Sequence, residues 1–182
     1  MRDNSGQGAF NFVIVTLDQH TAGPAARARD RLVADFPGLV ISIHAAAEWS
    51  ENPAALADAK QSVAHADIVM ANMLFLEEHT NAILPELRAR RDDCDAMIAI
   101  MADSDVVKLT RMGDLDMSAP ASGAMKFLKS LRGSKPSSSN TGSSQMKTLR
   151  RLPKILRLIP GKSQDLRNWF LSMQYWLGRV DV

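Results

Sequence analysis

Four short runs of mostly apolar, β-type residues recur along the first part of the chain, each followed by a segment with helical features. The runs cover residues 12–17, 39–44, 67–72 and 96–101. Because they are almost continuously apolar, they are typical of strands that are covered on both faces. Strands that alternate with helices predict a parallel sheet flanked by helices. We therefore predict an α/β fold with an open, Rossmann-like or flavodoxin-like parallel sheet of at least four strands.

Proline, glycine and capping residues mark where the connecting helices begin and end. A Pro-Gly pair at 37–38 is expected to end the first helix, which starts near residue 21. Ser50 or Asn52 is expected to cap the second helix, since both side chains can accept a hydrogen bond from the first turn. Further helices are predicted over 77–91 and over 103–112.

The charge of the chain is divided between two oppositely charged parts. Residues 1–122 hold 10 Lys and Arg against 18 Asp and Glu, whereas residues 123–182 hold 12 against 2. The near-neutral total of +2 therefore conceals an acidic part and a basic part. With the composition, this predicts four segments: a flexible lead at 1–9, an α/β domain at 10–132, a Ser-rich flexible loop at 133–145 and an amphipathic helical arm at 146–182.

The C-terminal arm is predicted to contain two amphipathic helices. The first combines apolar residues at helical spacing with a basic face, and the second carries an apolar stripe that includes two of the three tryptophans. A stripe of this size must pack on the α/β unit or on something absent from this chain. The candidate contact residues of the arm are Trp169, Phe170, Met173, Trp176, Arg150, Arg151 and Lys154.

The basic helix of the arm allows three interpretations. It could bind nucleic acid, but no pattern of a known nucleic-acid module accompanies it, so we expect no nucleic-acid partner. It could lie on an anionic membrane surface, as basic amphipathic helices do. It could instead pack against an acidic surface within a larger protein. We favour this last interpretation, because the apolar stripe continues into the Trp-rich second helix.

The carboxyl ends of the predicted strands carry the residues best placed for chemistry, since open parallel sheets bind ligands there. A carboxylate and an imidazole at this edge could transfer a proton or bind a metal. The alternative, which we favour, is that the acids cap helices and the histidines satisfy turn backbones. The candidate residues are Asp18, His20, His44, Asn72 and Asp103.

Several other kinds of site are not supported by the sequence. The first strand–helix turn has one glycine, so it matches neither a dinucleotide-binding loop nor a P-loop. His65 and His79 have no second ligand at helical spacing, and three aspartates surround Cys94, which disfavours a reactive thiolate. We therefore assign no catalytic residue and no metal ligand.

The cellular location is also an expectation from composition. A single cysteine fits a reducing cytoplasm, and we see neither a signal peptide nor an apolar run long enough to span a bilayer. We expect a cytoplasmic protein, with peripheral membrane contact through the basic arm left open.

Four blocks of the sequence carry a family resemblance: SGAMKFLKSLRG, ANMLFLEEHTNAILPEL, DAMIAIMADSDVVKLTRMGDLDM and QMKTLRRLPKILRLIPGKSQDLRNWFLSMQYWLG. They resemble the N-terminal region of the large, porphyrin-binding subunit of magnesium chelatase, and the likeness covers roughly residues 10–182. The run LRRLPKILRLIPG points to the magnesium branch rather than to the related cobalt chelatases. The opening FNFVIVTLDQHTAGP looks more bacterial than plant-like.

The resemblance implies a subunit that binds protoporphyrin. Together with two AAA+-type partner subunits, which hydrolyse ATP, it inserts Mg²⁺ on the path to chlorophyll or bacteriochlorophyll. Family members are many times longer, so the chain is expected to be an N-terminal domain whose arm leads into the remainder of the subunit. Alone, we expect it to bind no cofactor and to catalyse nothing. Its role would be to cover or gate the porphyrin site or to dock the partner subunits.

No catalytic or porphyrin-ligating residue of the family can be carried over onto a position here. An alternative of a different class is a free-standing, flavodoxin-like adaptor module with a membrane-associating basic tail. Salt-sensitive binding to anionic vesicles that disappears when residues 146–178 are deleted would favour that alternative.

Overall fold

The structure is a computed structural model that describes residues 8–18, 22–118 and 163–177. The chain divides into two compact units, residues 1–109 and 110–182. The predicted boundaries of the Ser-rich loop and the first arm helix fall between residues 119 and 162, outside the described residues. Those segment boundaries therefore stay predictions.

The first unit is built on four parallel strands. They are β1 (Phe10–Thr16), β2 (Leu39–Ala45), β3 (Ile68–Asn72) and β4 (Ala96–Ile100). Their order across the sheet is β2-β1-β3-β4. This is the start of the flavodoxin-like order, and it confirms the predicted α/β fold with its parallel sheet.

Helices connect these strands, mostly where the sequence predicted them. They are α1 (Ala22–Leu32), α2 (Pro53–Ala64), α3 (Glu77–Arg90) and the short α4 (Ser104–Val107), with one 3₁₀ turn at Ala46–Glu48. Of the two capping candidates, Asn52 is the cap of α2, because its side chain accepts a hydrogen bond from the backbone N–H of Ala55. The first helix ends at Leu32, earlier than the sequence predicted.

The hydrophobic core lies on one face of the sheet. Alternate strand residues such as Val13, Val69 and Met97 are buried there with Val63 of α2 and Leu87 of α3. The opposite face is more open: its residues include Phe12, Ile41, Met70 and Ile98, which are all half-buried. Successive residues of a strand point to opposite faces of the sheet. Alternate residues therefore lie either in the buried core or on the more open face.

The prediction of a helix over 103–112 is wrong. Only Ser104–Val107 is helical, and Arg111–Met112 forms a strand, β5, that pairs antiparallel with β6 (Leu115–Asp116). Gly113 sits in the two-residue turn between them with φ +53°, a conformation that glycine adopts without steric cost. Glycine therefore permits a tight hairpin where the sequence pattern suggested a continuing helix.

The second unit contains this hairpin and the helix α5 (Ser163–Leu177), which confirms a helix in the second half of the predicted arm. Asp165 lies in the first turn of α5, and its Oδ2 accepts a hydrogen bond from the backbone N–H of Asp114 at 2.9 Å. A Cβ added at Gly113 would lie 2.5 Å from the same oxygen. A larger residue at this position would therefore push the Asp165 carboxylate away from the turn, whereas glycine keeps its hydrogen bond in place.

Candidate functional site

The strand order places the most favourable ligand position at the carboxyl ends of β1 and β3. The chain runs from β1 outward to β2 and then crosses back to β3 on the other side, so the order reverses between these two strands. Crevices at such switch points bind ligands in open α/β sheets. Thr16 and Asn72 are the register partners at this point, and both side chains are fully buried.

The β1 end is organised by a residue that the sequence analysis missed. The Oγ1 of Thr16 accepts a hydrogen bond of 3.1 Å from the backbone N–H of Asp18, which fixes the chain as it leaves the strand. Asp18, a predicted edge residue, is half-buried directly after β1. A hydroxyl at the last position of an apolar strand was the available signal. His20, the next candidate, lies outside the described residues.

Asn72 ends β3, as predicted, but it is enclosed. Both polar atoms of its side-chain amide are buried and have no hydrogen-bond partner among the residues that the structure describes. The following residue, Met73, has φ 58°, an uncommon conformation for a side chain of this size. A buried amide without partners costs free energy, which makes Asn72 a position where a polar group is retained against its stability cost.

His44 does not join this group, although the sequence placed it at the same edge. In the register, Val15 pairs with His44, whereas Thr16 pairs with Ala45 and Asn72. The imidazole of His44 therefore lies on the opposite face of the sheet from Thr16 and Asn72. Its nearest carboxylate is Asp58 of α2, with Nδ1 3.6 Å from Oδ2. The predicted edge set is thus split between two faces.

Burial lowers the pKa of His44 below the ordinary value of 6.5, and the nearby charge of Asp58 opposes that shift only in part. Within the described ranges, its buried Nε2 has no hydrogen-bond partner. The folded state therefore favours the neutral imidazole, in keeping with the interpretation of His44 as a structural residue.

This burial predicts how stability depends on pH. Because the folded-state pKa is depressed, stability is full above pH 6.5 and is lost as the pH falls from there through the folded pKa. In urea unfolding at pH 7.5 and pH 5.0, His44→Leu should lose less stability on acidification than the parent chain. His65→Leu, a change at an exposed histidine, should keep the parental loss. An unchanged pH dependence in His44→Leu would contradict the assignment.

Asp103 caps α4 rather than facing an imidazole. Its Oδ1 accepts a hydrogen bond of 2.8 Å from the backbone N–H of Asp105, which is the capping role that we favoured. Its side chain is exposed and borders a cleft of about 270 Å³ between the β3–α3 loop and the β4–α4 loop. The lining residues are Phe75, Glu77, Thr80, Asn81, Leu84, Asp103 and Asp105.

The described residues contain no group of three or more His, Cys, Asp or Glu side chains that could hold a metal ion. Within the same ranges, no helix is long and apolar enough to cross a bilayer. His65 is exposed and His79 half-buried, with the His79 ring 6.2 Å from Trp49 in an edge-on contact. Cys94 is buried and its Sγ contacts the backbone oxygen of Arg91.

Some candidate residues of the arm lie in α5, and the others lie outside the described residues. Trp169 and Phe170 of α5 are buried and form an edge-to-face pair with ring centroids 5.1 Å apart, whereas Met173 is half-buried. Trp176 lies in the last turn of α5. The basic candidates Arg150, Arg151 and Lys154 lie outside the described residues.

A family model described as "Domain of unknown function (DUF3479)" matches residues 11–170, which is most of the chain. The chain belongs to the DUF3479 family. This DUF3479 chain is 59% identical over 177 residues to the H subunit of magnesium chelatase from Cereibacter sphaeroides, an alignment that covers 97% of the chain. It is 60% identical over 171 residues, or 94% of the chain, to the corresponding H subunit from Rhodobacter capsulatus.

A plant relative is more distant. The chain is 30% identical over 117 residues, 64% of its length, to ChlH, the chloroplastic magnesium-chelatase subunit of Oryza sativa subsp. indica. This DUF3479 chain spans 15%, 14% and 8% of the lengths of these three relatives. The predicted resemblance to the N-terminal region of the magnesium chelatase large subunit is therefore confirmed.

Proposed function

We propose that this chain is the N-terminal domain of a magnesium chelatase large subunit, and that it serves as a docking or covering domain rather than as the catalytic part. The observation that carries the proposal is the 59–60% identity to two bacterial H subunits over 94–97% of the chain. Identity at this level along nearly the whole chain supports a shared role for the aligned region.

The reaction belongs to the whole assembly in this proposal. The large subunit binds protoporphyrin, two AAA+-type partner subunits hydrolyse ATP, and Mg²⁺ is inserted into the macrocycle on the way to chlorophyll or bacteriochlorophyll. Protoporphyrin and Mg²⁺ are substrates, and ATP is bound by the partner subunits. This domain contributes no cofactor site of its own and works in the cytoplasm, in contact with the remainder of the large polypeptide.

The arrangement of the sheet edge supports a non-catalytic role. General acid–base chemistry needs the reacting groups within hydrogen-bond reach of one substrate position. Here His44 lies on the other face of the sheet from Asn72, and Asp103 is engaged as a helix cap. Among the described candidates, His44 and Asp103 are therefore not directed at the Asn72 position, whereas the cleft beside Asp103 offers a surface for contact.

Direct porphyrin contact through the arm is the alternative within this proposal. Trp169 and Phe170 would offer apolar surface to the macrocycle, and Arg150, Arg151 and Lys154 would pair with its propionates. The burial of both aromatic side chains favours a packing role instead, because a ligand would have to displace their present neighbours.

Two binding measurements test the proposed function. The 182-residue chain is titrated with deuteroporphyrin, followed by the Soret band and tryptophan quenching, and separately with the purified partner subunits, followed by light scattering. Partner binding without a saturable Soret shift supports docking, whereas a micromolar Soret shift that weakens in Trp169→Ala assigns porphyrin contact. If the chain binds neither deuteroporphyrin nor the partner subunits, the proposal is wrong. Co-sedimentation with anionic vesicles, compared with a chain lacking residues 146–178, tests peripheral membrane contact.

A further inference from the structure

A pair of large apolar side chains lies exposed at the carboxyl edge of the sheet in the first unit. Phe75 and Leu76 are neighbours in the loop between β3 and α3, and their side chains are 49% and 50% exposed. Isolated exposed apolar residues need no explanation, but adjacent ones beside a cleft mark a contact surface. The cleft of about 270 Å³ lies against Phe75 and has Leu84 in its lining.

The loop that carries this pair is held firmly from both sides. Leu74 is buried, and its backbone oxygen accepts hydrogen bonds from the backbone N–H of Asp103 at 2.7 Å and from Oγ1 of Thr80 at 3.3 Å. The backbone N–H of Thr80 also donates to the oxygen of Leu76. Because these bonds fix the backbone, the two apolar side chains cannot fold back into the core, and a partner would find them already ordered.

The charges around the cleft are predominantly negative. Asp105 is paired with Lys108 at 2.7 Å and with Arg88 at 3.6 Å, and these cations lower its pKa. In the part of the chain that the structure describes, Glu77 and Asp103 make no ion pair. Their carboxylates therefore remain available to a cation from outside.

We propose that this cleft, lined by Phe75, Glu77, Leu84 and Asp103 and adjoined by the exposed Leu76, docks a basic, apolar peptide segment of a partner protein. A basic, apolar segment complements both the charge and the shape of the cleft. An apolar side chain of the segment would fill the cleft beside Phe75 and Leu84, and an adjacent Lys or Arg would pair with Glu77 and Asp103. The inference rests on the proposed function, since it specifies where and with what chemistry the domain docks a partner.

Fluorescence polarisation with synthetic peptides tests the surface directly. The probe is a labelled amphipathic peptide of leucine and lysine, about four helical turns long, and its counterpart carries glutamate in place of lysine. The 182-residue chain should bind the lysine peptide saturably and more weakly at high salt, and should not bind the glutamate peptide. Equal binding of both peptides, or no saturable binding of either, would overturn the proposal.

A matched pair of double variants locates the binding. Phe75→Ser with Glu77→Gln removes one aromatic ring and one charge at the cleft, and should weaken binding at least about tenfold. Asp35→Asn with Phe36→Ser makes the same kind of change at another exposed site, where Phe36 is 59% exposed, and should leave binding unchanged. Equal losses in both variants would show nonspecific attraction and overturn the proposal, as would unchanged binding in the cleft variant.

Light scattering of the chain alone tests whether a second copy of the chain, rather than a partner protein, occupies the cleft. A dimer that dissociates in the cleft variant but not in the control variant would assign the surface to a second copy of the chain and overturn the partner proposal. A negative peptide result would leave the proposed function standing if the purified partner subunits still bind the chain, so failure of the docking surface and failure of the proposed function are distinguishable.

Discussion

Replacing Gly113 by valine is expected to destabilise the second unit by about 1.5–3.5 kcal/mol. A residue with a side chain costs about 1–2 kcal/mol in the left-handed region where Gly113 lies. The new Cβ would also lie 2.5 Å from Oδ2 of Asp165, so that carboxylate would move away and lose its hydrogen bond from the backbone N–H of Asp114, worth about 0.5–1.5 kcal/mol. Urea unfolding followed by circular dichroism measures the change.

Gly23→Ala is the matched control for this prediction. Gly23 lies in α1, where an added Cβ would approach only the guanidinium of Arg27 at 3.6 Å. Alanine in a helix interior is favoured over glycine by about 0.5–1 kcal/mol, so this variant should be equal to or more stable than the parent. If Gly113→Val were as stable as Gly23→Ala, the described fit between the turn and the start of α5 would be wrong.

Asn72→Asp is expected to have an effect of similar or greater size, on the first unit. The change keeps the shape of the side chain but places a carboxyl at a fully buried position, where no described residue forms a hydrogen bond with the amide. An uncompensated buried charge costs about 3 kcal/mol or more, and burial raises the pKa of such a carboxyl. The loss of unfolding free energy should therefore be larger at pH 8 than at pH 5, where the carboxyl takes up its proton.

Asn72→Leu tests whether the side-chain amide of Asn72 makes a hydrogen bond in the folded protein. Replacing an unpartnered buried polar group by an apolar group of similar size is close to neutral or stabilising. We expect Asn72→Leu to unfold at the same or a higher urea concentration than the parent. A large loss of stability in Asn72→Leu, together with a small loss in Asn72→Asp, would show that the amide has a polar partner after all.

The sequence was sufficient to place the four parallel strands, because runs such as 67–72 and 96–101 are short, mostly apolar and followed by helical segments, which is typical of a parallel α/β sheet. The cap of α2 was narrowed to Ser50 or Asn52, since both are side-chain acceptors just before Pro53, and the structure selects Asn52. These features depend on a few neighbouring residues, and so they can be recognised locally.

The features that were missed depend on distant parts of the chain. His44 and Asn72 lie on opposite faces of the sheet because of the register between the strands. That register is set by packing and cannot be read from either strand alone. The hairpin at Gly113 is matched by Asp165, 52 residues further along, while a helical continuation looked equally acceptable locally. The exposure of Phe75 and Leu76 depends on hydrogen bonds that end at Leu74 from two other segments.

Magnesium insertion by a reconstituted chelatase tests the central claim most directly. In the magnesium-chelatase H subunit of Cereibacter sphaeroides, the aligned region is either deleted or replaced by this chain, and insertion of Mg²⁺ into deuteroporphyrin is followed by fluorescence after circular dichroism has shown that both proteins are folded. We expect deletion to lower the rate severely and replacement by this 59% identical chain to restore it. A deletion that leaves the rate unchanged, or a folded replacement that stays as inactive as the deletion, would contradict the central claim.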